Sequence, residues 1–273
     1  LNDANTIKEF TTAQVTLNSV EDTYSNIQDI KKIDDALVNM GAASVKVSDN
    51  VTKTEVDDLR TDTTGNITLT SLTEDKGDLG TINGFTDVIL STANITVTDN
   101  VNKTEADAID AYNKTSGVVT LTSITDTVLN VTAVENNTNI SLDTSTITVT
   151  DAASLNDANT IKEFTTAQVT LNVVEDTVSN ITSIDLIDSD DVSMADAAVT
   201  VTDAASLANA TAINGFTDGL VTLNVVQDTV SNITSIDLID SDNVSMRAAA
   251  VTVTDAASLA DATAINNFTT AQV

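Results

Sequence analysis

The sequence contains no cysteine, histidine, proline or tryptophan, and only 8 of its 273 residues are glycine. Without cysteine the chain has neither disulfides nor thiolate metal sites. The lack of proline and the scarcity of glycine exclude collagen-like and flexible-linker compositions. Without histidine and cysteine, serine and lysine have no recurrent partner that would activate a nucleophile, and no glycine-rich phosphate loop is present. The sequence therefore predicts a protein that is not an enzyme.

Basic residues are scarce as well. The chain has 11 lysines and arginines against 41 aspartates and glutamates, a formal net charge of −30. Such a charge repels phosphate backbones, so nucleic acid is not an expected partner. Divalent cations or screening salt are its natural complement. No apolar run approaches the ~20 residues that span a bilayer, so no membrane insertion is expected.

What the sequence does contain is a long repeat. The stretch VTVTDAASLANATAINGF begins at Val199, and close copies begin at Ile147 and Val251, each 52 residues away. Weaker copies begin at Ile95 and Val45. We therefore predict one array over residues 1–273, because self-similarity at a fixed period is typical of stacked repeats. The predicted repeats are 45–94, 95–146, 147–198 and 199–250, with partial repeats at 1–44 and 251–273.

The first half of each repeat predicts a strand followed by a short helix. Valine and threonine alternate in Val199–Asp203, the period of a strand. Apolar residues then recur every three positions from Leu207 to Phe216, which predicts a helix with one buried stripe. Side chains that suit an N-cap precede this helix in every copy. The predicted N-caps are Thr52, Asn102, Ser154, Ser206 and Ser258.

The second half predicts another strand and helix. A strand is expected from Val221, and Val230, Ile233 and Ile236 again recur every three positions. The predicted N-caps of these second helices are Asp22, Asp126, Asp176 and Asp228. A third apolar fragment, Val244–Met246, has no pattern that assigns it a structure.

The predicted fold is an α/β solenoid of stacked strand–short-helix turns, with two turns per repeat and a parallel sheet along one side. Equivalent strands are expected to stack into a parallel sheet ~4.8 Å apart, so that one repeat advances the stack by ~10 Å. The alternative is an all-β parallel β-helix, in which strands and corners replace the helices. The three-residue spacing and the capping residues favour the α/β solenoid.

Acidic residues provide two kinds of candidate site. An aspartate ends each first strand, and it predicts either a ladder of Ca²⁺ sites or an acceptor of backbone N–H groups. One aspartate per turn offers too few oxygens for calcium, which favours the second interpretation. The acidic turns near residues 190 and 242 are better cation candidates, and Ca²⁺ is the cofactor that they suggest. Their candidate metal ligands are Asp188, Asp190, Asp191, Asp240, Asp242 and Asn243.

The segments VTVTDAASLADATAIN and VTLNVVQDTVSNI resemble the Thr/Asp/Ala-rich repeats of very long bacterial extracellular proteins, either adhesin-like or surface-layer-like. The resemblance implies an extracellular or cell-surface location and a structural or adhesive role. Because both ends of the chain fall within a repeat, we expect end-to-end self-association into an open assembly. The leading hypothesis is a rod, fibre or surface-layer element. The alternative is an adhesin segment or Ca²⁺-dependent ligand-binding module with a cell-surface or glycan partner.

Overall fold

The chain folds into two compact units, each built from alternating strands and helices. The computed structural model describes residues 2–33, 38–113, 116–187, 191–236, 239 and 243–273. Unit 1 comprises Leu1–Ser123 and Val134–Leu142, and unit 2 comprises Ile124–Ala133 and Asp143–Val273.

The described helices are short, between two and three turns. They are α1 (Asn2–Glu9), α2 (Tyr24–Lys32), α3 (Lys53–Asp62), α4 (Lys76–Asn83), α5 (Lys103–Asp110), α6 (Val128–Glu135), α7 (Leu155–Lys162), α8 (Val178–Leu186), α9 (Leu207–Asn214), α10 (Val230–Ile236) and α11 (Leu259–Asn266).

Most of the described strands have either eight residues or two, and the other two strands have four. They are β1 (Val15–Thr16), β2 (Ser19–Asp22), β3 (Val38–Asn39), β4 (Ser44–Val51), β5 (Ile67–Glu74), β6 (Val88–Ile89), β7 (Asn94–Val101), β8 (Val119–Asp126), β9 (Ile140–Ser141), β10 (Thr146–Ala153), β11 (Val169–Asp176), β12 (Val192–Ser193), β13 (Ala198–Ala205), β14 (Val221–Asp228), β15 (Val244–Ser245) and β16 (Ala250–Val253).

Both units confirm the predicted α/β solenoid. In unit 1 the order of neighbouring strands includes β2, β4, β5 and β7, and β6 also pairs with β5. In unit 2 the order is β10, β11, β13, β14 and β16, with β12 on β11 and β15 on β14. All of these pairings are parallel, and a helix follows every long strand. The helices exclude the all-β alternative.

Equivalent side chains form the apolar core of unit 2. Ile161, Ile213 and Ile265 occupy the same place on α7, α9 and α11, and each is 0% exposed. Successive helices from α7 to α11 pack against one another. They cover the inward-facing valines of the strands, such as Val199 and Val221. Burial of each such side chain stabilises the fold by roughly 1.5–3 kcal/mol.

Successive long strands are level with one another in some pairs and offset in others. Within a repeat Val199 pairs with Val221, which is level. Between repeats Val199 pairs with Val174, five residues beyond the level position Val169. The cause is β12, which pairs with Val169 and Thr170 and thereby fills the level position. The third apolar fragment of each repeat is thus a short strand, and it offsets every second pairing.

Candidate functional site at the helix N-termini

The aspartate that was predicted to end each first-half strand accepts a hydrogen bond from the first amide of the helix in the preceding turn. Asp203 Oδ1 accepts from Val178 N at 2.8 Å. Asp203 lies in a β-bulge between Val201 and Ala204, a feature that redirects side chains. The same bond joins Asp49 to Tyr24 N, Asp99 to Lys76 N, Asp151 to Val128 N and Asp255 to Val230 N. These aspartates are therefore acceptors of backbone N–H groups, but the donor belongs to a neighbouring turn.

Acidic residues at the ends of the second-half strands have the same role. Asp228 Oδ2 accepts from Leu207 N at 2.9 Å. Its Oδ1 accepts from Thr229 N at 2.8 Å and from Asn232 Nδ2 at 2.9 Å. Asp176 makes the equivalent bonds one repeat earlier, and in unit 1 Glu74 accepts from Lys53 N. We call these residues the carboxylate rows: Asp49, Glu74 and Asp99 in unit 1, and Asp151, Asp176, Asp203, Asp228 and Asp255 in unit 2.

The electrostatics of the helices explain why these positions are acidic. Unpaired amides give a helix N-terminus a partial positive charge of roughly half a unit, which a carboxylate neutralises. Burial alone would raise the pKa of Asp228, but hydrogen bonds from Leu207 N, Asn232 and Thr229 N outweigh it and lower the pKa below its usual range. Asp176 has a lowered pKa for the same reasons. Both carboxylates are therefore charged at neutral pH and already engaged with the protein.

The structure corrects the predicted N-caps of the second helices. Thr23 and Thr177 cap α2 and α8, and each follows the aspartate that the sequence had suggested, Asp22 or Asp176. Thr127 and Thr229 replace Asp126 and Asp228 in the same way, since each hydroxyl accepts from the amide three residues later. The aspartates are displaced from this role because their oxygens bind other donors. The predicted first-helix caps are confirmed at Thr52, Asn102, Ser154, Ser206 and Ser258.

The acidic turns lie only partly within the described residues. Asp188, Asp190, Asp240 and Asp242 are outside them. Asp191 forms an ion pair with Lys162 at 3.2 Å, and Asn243 Nδ2 donates to Asp218 O at 3.4 Å. Across the described parts of the chain no group of three or more acidic side chains could hold a metal ion. Calcium binding at these turns stays a prediction, which calorimetric titration of the chain and of an Asp190→Asn variant tests.

Sequence reasoning missed a buried threonine that ties each first-half turn to the strand before it. Thr217 Oγ1 donates to Ala197 O at 2.6 Å and accepts from Gly219 N at 2.9 Å. The same bonds to a carbonyl 20 residues earlier are made by Thr63, Thr165 and Thr269. Asn113 replaces the threonine in one repeat and donates to Ala93 O. The signal was available, because threonine recurs at this position in five copies of the repeat, including Thr11 in the first partial copy.

Comparison with protein-family models, with curated proteins and with solved structures gave no match for this chain. None of the helices among the described residues is both long and apolar enough to cross a membrane. The proposals below therefore rest on the sequence and on the geometry of the two units.

Proposed function

We propose that this chain is an extracellular structural repeat protein, an element of a rod, fibre or surface layer that associates end to end. The carboxylate rows are the observation that supports the proposal most directly. In both units a charged side chain of one turn binds the helix amide of another turn, and the bond recurs from repeat to repeat. The most polar groups of the fold thus serve to hold neighbouring turns together.

Recurrence of this kind favours a structural role over catalysis. A catalytic site needs one constellation of groups whose environments differ from those elsewhere in the chain. Here Asp176 and Asp228 share the same donors in successive repeats, and both have lowered pKa values for the same causes. A scaffold benefits from such uniformity, because its stability is approximately a sum over identical neighbouring contacts.

The acidic surface and the resemblance to bacterial surface proteins support an extracellular location. A formal charge of −30 keeps separate chains apart at low salt, and the ions of an external medium screen it. Assembly should therefore depend on ionic strength.

Electron microscopy of the purified chain tests this proposal. Samples at about 0.01 M and about 0.5 M salt bracket the range over which the screening length falls from ~30 Å to a few ångströms. We expect extended particles or filaments at the higher salt concentration and fewer at the lower. Compact, monodisperse spheres under both conditions would contradict the proposed role.

A further inference from the structure

One surface of unit 2 carries far less charge than the rest. Unit 2 contains 2 basic and 20 acidic residues, a formal charge of −18. On β10, β11, β13, β14 and β16 the described positions that point away from the helices hold Thr, Ala, Asn, Val and Gln, with Glu175 as the charged exception. The bulge residues Asp151 and Asp203 of these strands are bound to helix amides. We call the solvent-facing positions of these five strands the outer sheet face.

The outer sheet face also carries two apolar rows, one per repeat. The strand register aligns a valine between two alanines in each row, with the alanines exposed and the valine partly exposed. The rows are Ala152–Val173–Ala198 and Ala204–Val225–Ala250.

Unit 1 differs at the equivalent positions. Its row is Asn50, Ser71 and Asn94, and Ser71 Oγ donates to Asn50 Oδ1 at 2.9 Å. Asn50 and Ser71 are therefore hydrogen-bonded to each other, and Asn94 Oδ1 accepts from Val118 N at 3.1 Å. The side chains of the two rows in unit 2 have no polar groups. Their free energy is lowered only when another surface removes them from water.

We propose that the outer sheet face of unit 2 is the surface through which two copies of this chain pair face to face. The charge distribution favours a second copy: contact through any strongly acidic surface brings like charges together, whereas this face presents almost none. The repeat favours it too. A second copy presents both apolar rows at the same spacing, so a two-fold pairing matches two rows at once.

The size of the face suits such a pairing. Four strands of eight residues and one of four, spaced ~4.8 Å apart with ~3.3 Å per residue, cover on the order of 600 Å². Standard protein interfaces bury about 800 Å² per partner. Sheets that stack in this way lie about 10 Å apart, a separation at which the side chains of the two apolar faces interdigitate.

Glu175 is the residue that opposes this pairing. Its counterpart in the following repeat is Gln227, which has the same shape without the charge. Two copies that pair through the face bring two Glu175 carboxylates into a partly desolvated region, where like charges repel more strongly than in water. Added salt and a Glu175→Gln substitution should both strengthen the dimer.

Sedimentation equilibrium of the whole chain tests the proposal at protein concentrations up to about 100 µM. We expect a dimer whose Kd falls as salt rises from about 0.05 M to about 0.5 M. The double variant Val173→Asp with Val225→Asp should raise Kd by about tenfold or more, because it adds charge to the contact. Thr200→Asp, on a partly exposed position of β13, should act in the same direction. Thr211→Asp adds the same charge on the exposed surface of α9 and should leave Kd unchanged.

Circular dichroism melting of each variant verifies that it is folded. If the double variant unfolds, the effect of Thr200→Asp on Kd tests the pairing in its place. A wild-type chain that is monomeric throughout overturns the proposal. So does a dimer that Thr211→Asp weakens as much as Thr200→Asp does. The inference rests on the proposed structural role, but the two fail separately: monomers in sedimentation that still appear as extended particles refute the pairing alone.

Discussion

Asp203 and its counterparts show how one carboxylate can stabilise a turn to which it does not belong. The bond from Val178 N to Asp203 Oδ1 spans 25 residues of sequence, and the bond from Leu207 N to Asp228 spans 21. Sequence patterns identify these aspartates because they recur at strand ends. They do not identify the donors, since capping is ordinarily a local interaction within three residues. This long reach is also why Asp176 and Asp228 were mistaken for N-caps.

Asp203→Ala should lower the free energy of unfolding by about 1 kcal/mol, the usual cost of losing a helix cap. Asp203→Asn keeps an oxygen acceptor for Val178 N and removes only the charge, so we expect a smaller loss. Urea denaturation of both variants measures the difference. Asp218→Ala, in an exposed turn, is the matched control and should change stability by no more than about 0.5 kcal/mol. Equal effects of Asp203→Ala and Asp218→Ala would refute the capping role.

Thr217→Val should be more damaging. Thr217 is 4% exposed, and its hydroxyl bonds both Ala197 O and Gly219 N. Valine has nearly the same shape but leaves two buried backbone groups without a partner, which costs about 1–3 kcal/mol.

Thr211→Val provides the control for this substitution. Thr211 is on the exposed surface of α9, and its hydroxyl donates to Leu207 O in the same helix. Chemical denaturation should find it close to wild type. If both threonine variants lose the same stability, the buried hydroxyl has no special role.

Strands and helices of eight residues were predictable because apolar residues recur along them with the period of a strand or of a helix. The two-residue strands were not, since Val244–Ser245 is too short to show any period. These short strands have a large effect, because they offset every second long strand by five residues. The sequence thus predicted the long strands and the helices. The register of the long strands depends on the two-residue strands, which no local pattern reveals.

The helix layer is held by a few buried apolar side chains in each repeat, and Ile213 is one of them. Ile213→Ala should cost about 2–5 kcal/mol, because Ile213 is 0% exposed and the packed neighbours cannot fill the cavity. Ile213→Val should cost about 0.5–1.5 kcal/mol. Leu186→Ala removes a similar volume from a side chain that is 76% exposed and should be close to neutral. Thermal melting of the three variants should rank them in this order; any other order contradicts the assigned core.

Acid should destabilise the chain through Asp176 and Asp228 of the carboxylate rows. The pKa values of Asp176 and Asp228 in the folded protein lie below the usual 3.8. The unfolded chain therefore binds protons first as the pH falls, so the stability from these bonds is complete above about pH 5 and is lost as the pH falls through the folded pKa values.

Asp176→Asn removes one of these titrations. The variant should be less stable than wild type at pH 7, and its stability should change less between pH 5 and pH 3. Urea denaturation across this pH range measures both effects, with Asp218→Asn as a control outside the rows. A variant that follows the wild-type pH dependence would show that Asp176 does not contribute to it.

The central structural claim is that parallel turns stack with an offset at every second strand, and disulfide cross-linking tests it most directly. The chain has no native cysteine, so any introduced pair is unique. Glu175 and Thr200 are paired across adjacent strands, with side chains on the outer sheet face. Thr170 lies five residues before Glu175 along β11. It would pair with Thr200 only if the offset were absent. Disulfides require Cα atoms within about 7 Å. Mild oxidation should therefore close an intramolecular disulfide in the Glu175→Cys, Thr200→Cys variant and leave the Thr170→Cys, Thr200→Cys variant open. The reverse result would contradict the offset stack.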